Sequence, residues 1–187
     1  MPTPGYSVRK AAQVTAFFAK KHGGSVEVLK LAKLVYLADR EFMSRYDFPI
    51  LFDHLVSMPH GPVNSMTLNY ISGLEARRDH WEEFIAARAG NMIGLTNPEI
   101  SLDDLDELSE AEAHVLEIVW DQFGQMTSWQ LRNYTHQHCP EWEDPHGSSN
   151  PIPYERVLKF LGKEHSSEIA EDIDSMRALD KFLVYAK

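Results

Sequence analysis

The residues of this chain best suited to chemistry gather late in the sequence, in His136-x-His138-Cys139 with His146 a short loop away. Imidazoles and a thiolate are ligand types that zinc prefers, and a structural zinc closes on four of them. The spacing follows no zinc pattern, because His136 falls near the end of an expected helix while His138 and Cys139 precede Pro140 in a loop. His136 is expected to pack or cap within its helix, and Cys139 to serve as a small buried apolar side chain. A nucleophilic Cys139 would need a depressed pKa, a base and an orienting third group. His60 offers a general base, but it stands in Pro59-His60-Gly61-Pro62, where a hydrogen bond to carbonyls that the prolines leave unpaired is the expected use. The acid pairs Glu82-Glu83 and Asp103-Asp104 are adjacent along the chain and need not face one substrate. The sequence has no glycine-rich phosphate loop, no Gly-x-Ser-x-Gly and no His-Glu-x-x-His. No catalytic residue, metal site or cofactor is therefore assigned.

A frame of 187 residues, 43% of them apolar, must position these groups, and it fits a single compact domain over 1–187 that buries roughly two thirds of its unfolded surface. No stretch resembles a signal peptide, and none approaches the ~18 apolar residues that span a bilayer. The lone Cys139 rules out an internal disulfide and suits a reducing compartment, so the cytoplasm is the expected location, with no membrane partner. The net charge of −10 is unevenly spread: residues 1–40 hold seven Lys or Arg against two acids, whereas 89–131 hold nine acids and no Lys or Arg. Such an acidic face repels phosphate backbones and attracts basic partners, which argues against nucleic acid.

The periodicity predicts a mainly α (α+β) fold of about six to seven helices with a small antiparallel β element. A helical pair occupies 8–46. Its first helix runs from Val8 to about Lys21 and stops at Gly23-Gly24; Ser25 caps the second. In the second, Leu31, Leu34, Val35, Ala38 and Phe42 form one apolar stripe, with Lys33 and Arg40 near the opposite side. Residues 50–63 read as a short edge strand from Ile50 to Met58 followed by the rigid Pro59–Pro62 turn, with Pro62 or Val63 opening the next helix and Asn64 or Ser65 capping it. Residues 64–96 hold that helix, from Asn64 to about Arg77, and a hairpin over Trp81–Leu95 about Gly90-Asn91, which is favoured over a helix across Trp81–Ala89. The helical part, 109–187, opens with two capping boxes, Ser109 with Glu112 and Thr127 with Gln130; helices at Tyr154–Leu161 and about Ser167–Ala186 follow the proline-rich 139–153 loop.

Four blocks in order carry a family resemblance: Lys30-Leu31-x-Lys33-Leu34-x-Tyr36-x-Ala38; Met58-Pro59-His60-Gly61-Pro62-Val63; Leu108-Ser109-x-x-Glu112; and Leu131-x-x-Tyr134-Thr135-His136. With Pro140-Glu141-Trp142 and Ile152-Pro153 they resemble SocA-like Panacea-domain antitoxins over nearly the whole chain. Asp39-Arg40-Glu41-Phe42 departs from the more aromatic helix ending usual in that family. The resemblance implies the antitoxin of a type II toxin–antitoxin system, bacterial or phage-borne, whose partner is a cognate toxin protein neutralised by direct binding. It leaves self-association open. A second reading is an interaction adaptor, phage- or chromosome-encoded, that delivers a client to a protease.

The turn Met58, Pro59, His60, Gly61, Pro62 and Val63 is expected to be structural. Charge nominates Asp103, Asp104, Asp106 and Glu107 as a partner-binding surface against a basic cleft. Trp81, Trp129, Trp142, Tyr70 and Tyr134 are the aromatics from which interface anchors are drawn. Trp129, beside Leu131 in a periodic helix, is expected in the core; Trp142, between two glutamates in a loop, is expected at the interface.

Overall fold

Local chemistry starts and stops most of the helices. In the computed structural model, which describes residues 5–76 and 79–185, α1 spans Val8–Lys21. The Ser7 hydroxyl accepts from the Lys10 amide at 3.1 Å, and beyond His22 the chain turns through Gly23 and Gly24 with φ of 93° and 104°. Reciprocal capping boxes open α5 (Glu110–Phe123) at Ser109 and Glu112, and α6 (Ser128–His138) at Thr127 and Gln130, as their spacing predicts.

Long-range pairing changes the other boundaries. Ser25 does not cap the second helix: Ser25–Glu27 forms β1, and α2 begins at Val28 and runs to Tyr46 without a side-chain cap. The partner of β1 is β4 (Met92–Gly94), in the antiparallel register Val26↔Ile93. The segment expected as a hairpin does fold back near Gly90, with bridges Ala89↔Met92 and Ile85↔Leu95, yet it opens with a helical turn, α4 (Asp79–Glu82), and its strand pairs elsewhere.

A second sheet holds β2 (Leu55–Met58) at its centre, flanked by β3 (Gly61–Asn64) and β5 (Asn150–Pro151). The expected edge strand is thus a central one, because the proline-rich loop returns to pair with it. Pro62 and Val63 lie in β3 and do not open a helix. Helix α3 spans Ser65–Ser72 and closes at Gly73, short of the expected Arg77, which lies outside the described residues. Asn64 is its N-cap residue but makes no side-chain cap bond. The buried Asp53 carboxylate does that work from the preceding loop, accepting from the amides of Met66 and Thr67, each at 2.9 Å. Helices α7 (Tyr154–Phe160) and α8 (Ser166–Tyr185) end the chain.

Eight α-helices among the described residues and two small antiparallel sheets make the fold mainly α with a minor β element. The helix beyond the seven read from periodicity is α4, the single turn in the expected hairpin. At the centre lies α2, which meets α1, α3, α5, α6, α7, β1 and β3. Leu31, Leu34, Val35 and Ala38 are buried as their stripe predicts. Lys33, expected on the opposite side, is 0% exposed as well, because neighbours close around α2 on all sides.

Candidate functional site

Buried polar groups on α2 need partners, and they find them in the turn and in the loop after α6. In the turn, β2 and β3 pair with Ser57↔Pro62 and Met58↔Gly61, leaving Pro59 and His60 at an exposed tip. Gly61 has φ of 100°, and a Cβ there would stand 2.7 Å from Thr135 Oγ1 and 3.0 Å from Lys33 Nζ. Both the backbone angle and this close approach require glycine. Three braces hold the turn. Lys33 Nζ donates to the Pro62 carbonyl at 2.9 Å, Trp142 Nε1 donates to the Met58 carbonyl at 2.9 Å, and the Glu143 amide donates to Ser57 Oγ at 3.2 Å. His60 was expected to serve such carbonyls; it makes no hydrogen bond among the described residues and packs edge-on against Trp129, ring centroids 5.8 Å apart.

The remaining polar residues of α2 tie it to its neighbours. Lys30 Nζ donates to the Gly124 carbonyl at 2.7 Å, placing a cation at the C-terminal end of α5, where the helix dipole favours it. Asp39 accepts from the amides of Ile50 and Leu51 at 2.6 and 3.1 Å and from Asn64 Nδ2 at 2.8 Å. Burial pushes the Asp39 carboxyl up to about 7 against the pull of those donors. Glu141, 0% exposed, accepts from the Tyr36 hydroxyl and Arg40 Nε, each at 2.6 Å. Arg40, like Lys33, was expected on an outer face and is instead half-buried on Glu141.

Burial, with Arg132 nearby, pulls the Lys33 amine down to about 7, whereas the unfolded chain keeps that proton to about 10.4. Between these values the unfolded state binds more protons, so this contribution to stability rises with pH. The stability of the native chain relative to Lys33→Met is expected to increase from pH 7 to pH 9.5 by about 1 kcal/mol per pH unit. Paired urea melts measure it; a difference flat in pH would show that Lys33 stays protonated in the fold.

One tryptophan departs from its expected place: Trp129, read as core, lies at the surface. Trp129 is 58% exposed on α6, with the Arg132 guanidinium 6.0 Å over its ring and His60 at its edge. Only Ser128, Leu131 and Thr135 of α6 face fully inward, so the position after the N-terminal Ser128 points to solvent. Trp142 is half-buried, stacked on His136 at 3.9 Å and 14°. Its indole braces the turn. Trp81 is 0% exposed, stacked on Tyr70.

The late His/Cys set is not brought together. His136 lies on Trp142 and His138 against Tyr134, while Cys139 is buried with its thiol pushed up to about 12, and His146 is exposed. Among the described residues, no group of three or more His, Cys, Asp and Glu is gathered that could hold a metal ion.

The acidic segment meets the basic N-terminus. Arg9 pairs with Glu83 at 3.2 Å and with Asp106 at 2.5 Å; Lys10 pairs with Glu112 at 2.8 Å and Lys21 with Glu117 at 2.6 Å. Gln13, buried, donates to Asp106 and accepts from the Glu107 amide. Ser7 donates to Glu107 Oε2 at 3.0 Å. The charge asymmetry along the sequence is thus answered in part within the molecule, through Asp106, Glu107, Glu112 and Glu117. Of the four nominated acids, Asp106 and Glu107 are engaged by α1, Asp104 caps a short 3-10 turn at Leu102–Asp104 through the Ser101 amide, and Asp103 stands exposed on the rim of an adjoining groove of about 390 Å³.

This architecture defines a helical protein built around a polar-braced central helix, with an exposed turn and a tryptophan-bearing helix side by side. The family model described as "Antitoxin SocA-like, Panacea domain" matches residues 31–143, and the chain belongs to that family. The match begins within α2, spans the turn and α6, and ends one residue past Trp142. No curated protein and no solved structure matches. Membership points to an antitoxin-like, non-enzymatic role exercised through protein partners. No helix among the described residues is long and apolar enough to cross a membrane.

Proposed function

We propose that this chain is the antitoxin of a type II toxin–antitoxin pair, a cytoplasmic protein that neutralises a co-encoded toxin by direct binding, with residues 1–187 acting as one neutralising unit. The observation that carries the reading is the family match over 31–143, which coincides with the braced assembly of α2, turn, α6 and Pro140–Trp142. A surface fixed by buried hydrogen bonds loses little freedom on docking, which favours tight binding. Neutralisation then follows from occlusion of the toxin by a preorganised face.

Co-expression with the product of the adjacent reading frame, scoring growth and co-purification together, tests this. Growth rescue with a stable complex is the expected result. Rescue with disappearance of the partner only in cells that contain the protease would replace neutralisation by delivery for proteolysis. A neighbour that is harmless and does not co-purify would overturn the reading.

A further inference from the structure

The outer face of α6 carries no carboxylate, a property it shares with α1 and α3. Between Gln122 and Pro140 there is no Asp or Glu, in a chain that carries 28 acids. Trp129, Gln130, Asn133, Gln137 and His138 face solvent there, beside a shallow depression of about 260 Å³ lined by Met126, Gln130, Asn133, Tyr134 and Gln137. Depletion of acids together with an exposed Trp and a half-buried Arg matches the composition of an interface core, and Trp and Arg dominate binding hot spots.

Arg132 supplies the complementary charge. Arg9, Arg40, Arg45, Arg156 and Arg177 each hold a carboxylate. Arg132 holds none among the described residues: it lies over Trp129, donates to Asn133 Oδ1 at 3.1 Å, and its buried Nε has no acceptor, which leaves the end of the guanidinium to meet a ligand. His136 Nε2, one turn along, is buried against Trp142 and also has no hydrogen-bond partner. A guanidinium matches a carboxylate with two parallel donors, and stacking on an indole holds it in place for that contact.

We propose that this face of α6 docks a carboxylate-bearing segment of the toxin, which seats an apolar side chain against Trp129 and an Asp or Glu on Arg132. The assignment rests on the antitoxin reading above. It places the contact away from the acidic 103–107 segment, where Asp106 and Glu107 are already answered by α1. An acidic segment meets no carboxylate on α6, whereas Arg9, Lys10 and Lys21 of the equally acid-free α1 are already paired with the molecule's own acids.

The test compares the wild-type chain, Trp129→Ala, Arg132→Glu, Arg132→Lys and the double variant Asp103→Lys/Asp104→Lys in co-purification with the adjacent reading frame's product and in growth rescue. Trp129→Ala and Arg132→Glu are expected to weaken the complex by about tenfold or more and to abolish rescue. Arg132→Lys retains the charge without the paired donors and is expected to fall between them. The Asp103/Asp104 variant is expected to bind as wild type. Unchanged thermal unfolding midpoints show that the variants are folded. Wild-type binding that survives both α6 substitutions overturns the assignment, as does a complex lost only in the Asp103/Asp104 variant. A wild-type chain that neither rescues nor co-purifies overturns the antitoxin reading, and the docking face falls with it.

Discussion

Glu141→Ala is expected to destabilise the chain by about 3–5 kcal/mol, because it leaves a half-buried guanidinium and a fully buried phenol without their acceptor. Glu141 Oε1 takes the Tyr36 hydroxyl and Arg40 Nε, and Oε2 takes Arg40 Nη2 at 3.3 Å. The Tyr36 ring is 0% exposed, so water cannot replace the carboxylate there. The damage spreads along the chain, since the next residue, Trp142, holds the Met58 carbonyl and stacks on His136. Urea unfolding should show the loss in the midpoint, and hydrogen exchange should quicken at the β2 and β3 amides. Glu141→Gln retains one acceptor and is expected to recover part of the stability. A loss below about 1 kcal/mol for the alanine variant would show that Arg40 and Tyr36 re-pair with each other's surroundings and that Glu141 is not the tie between α2 and the loop.

The second large effect is expected at Asp39. One carboxylate oxygen accepts two consecutive backbone amides, Ile50 and Leu51, and the other accepts Asn64, so Asp39→Ala orphans three buried donors at once. At about 1–3 kcal/mol for each unpaired donor, partly recovered by relaxation, the expected loss is about 4 kcal/mol. The comparison belongs at pH 8, above the value of about 7 to which burial raises this carboxyl, so that the ionised side chain is the reference. Asp39→Asn is expected to lose nearly as much, because its amide nitrogen must face a donor on one side. A variant as stable as wild type would mean that the 50–51 segment finds other acceptors and that its course is not set by α2.

These two positions show where sequence reasoning ran out. Lys33 and Arg40 read as the outer side of an amphipathic helix, because a helix packed on one face sends its charges to water. Here α2 is enclosed, and its charges turn into ties to backbone carbonyls, amides and a distant glutamate. A signal existed in the family block that places Lys33, Tyr36 and Ala38 ahead of the Pro-His-Gly-Pro turn, but a block marks a residue without naming its partner. Trp129 was misplaced for a related reason: adjacency to Leu131 carries no information about which way position 129 faces once Ser128, Leu131 and Thr135 take the inward side.

What the sequence determined by itself is whatever is encoded within a few residues: the α1 start at Val8 and its stop at Gly23-Gly24, the capping boxes of α5 and α6, the turn at Pro59–Pro62, and the ordered blocks that mark the family. These depend on contacts between near neighbours, which sequence spacing specifies. The tertiary structure alone decided that β1 pairs with β4, that Glu141 reaches back over 101 residues to Arg40, and that Glu83, Asp106, Glu112 and Glu117 are answered by α1. It also decided that Trp129 and Arg132 are presented at the surface while Trp142 is turned to the brace. Burial and pairing across such separations depend on which elements close over one another, and that is a property of the assembled fold, not of any segment within it.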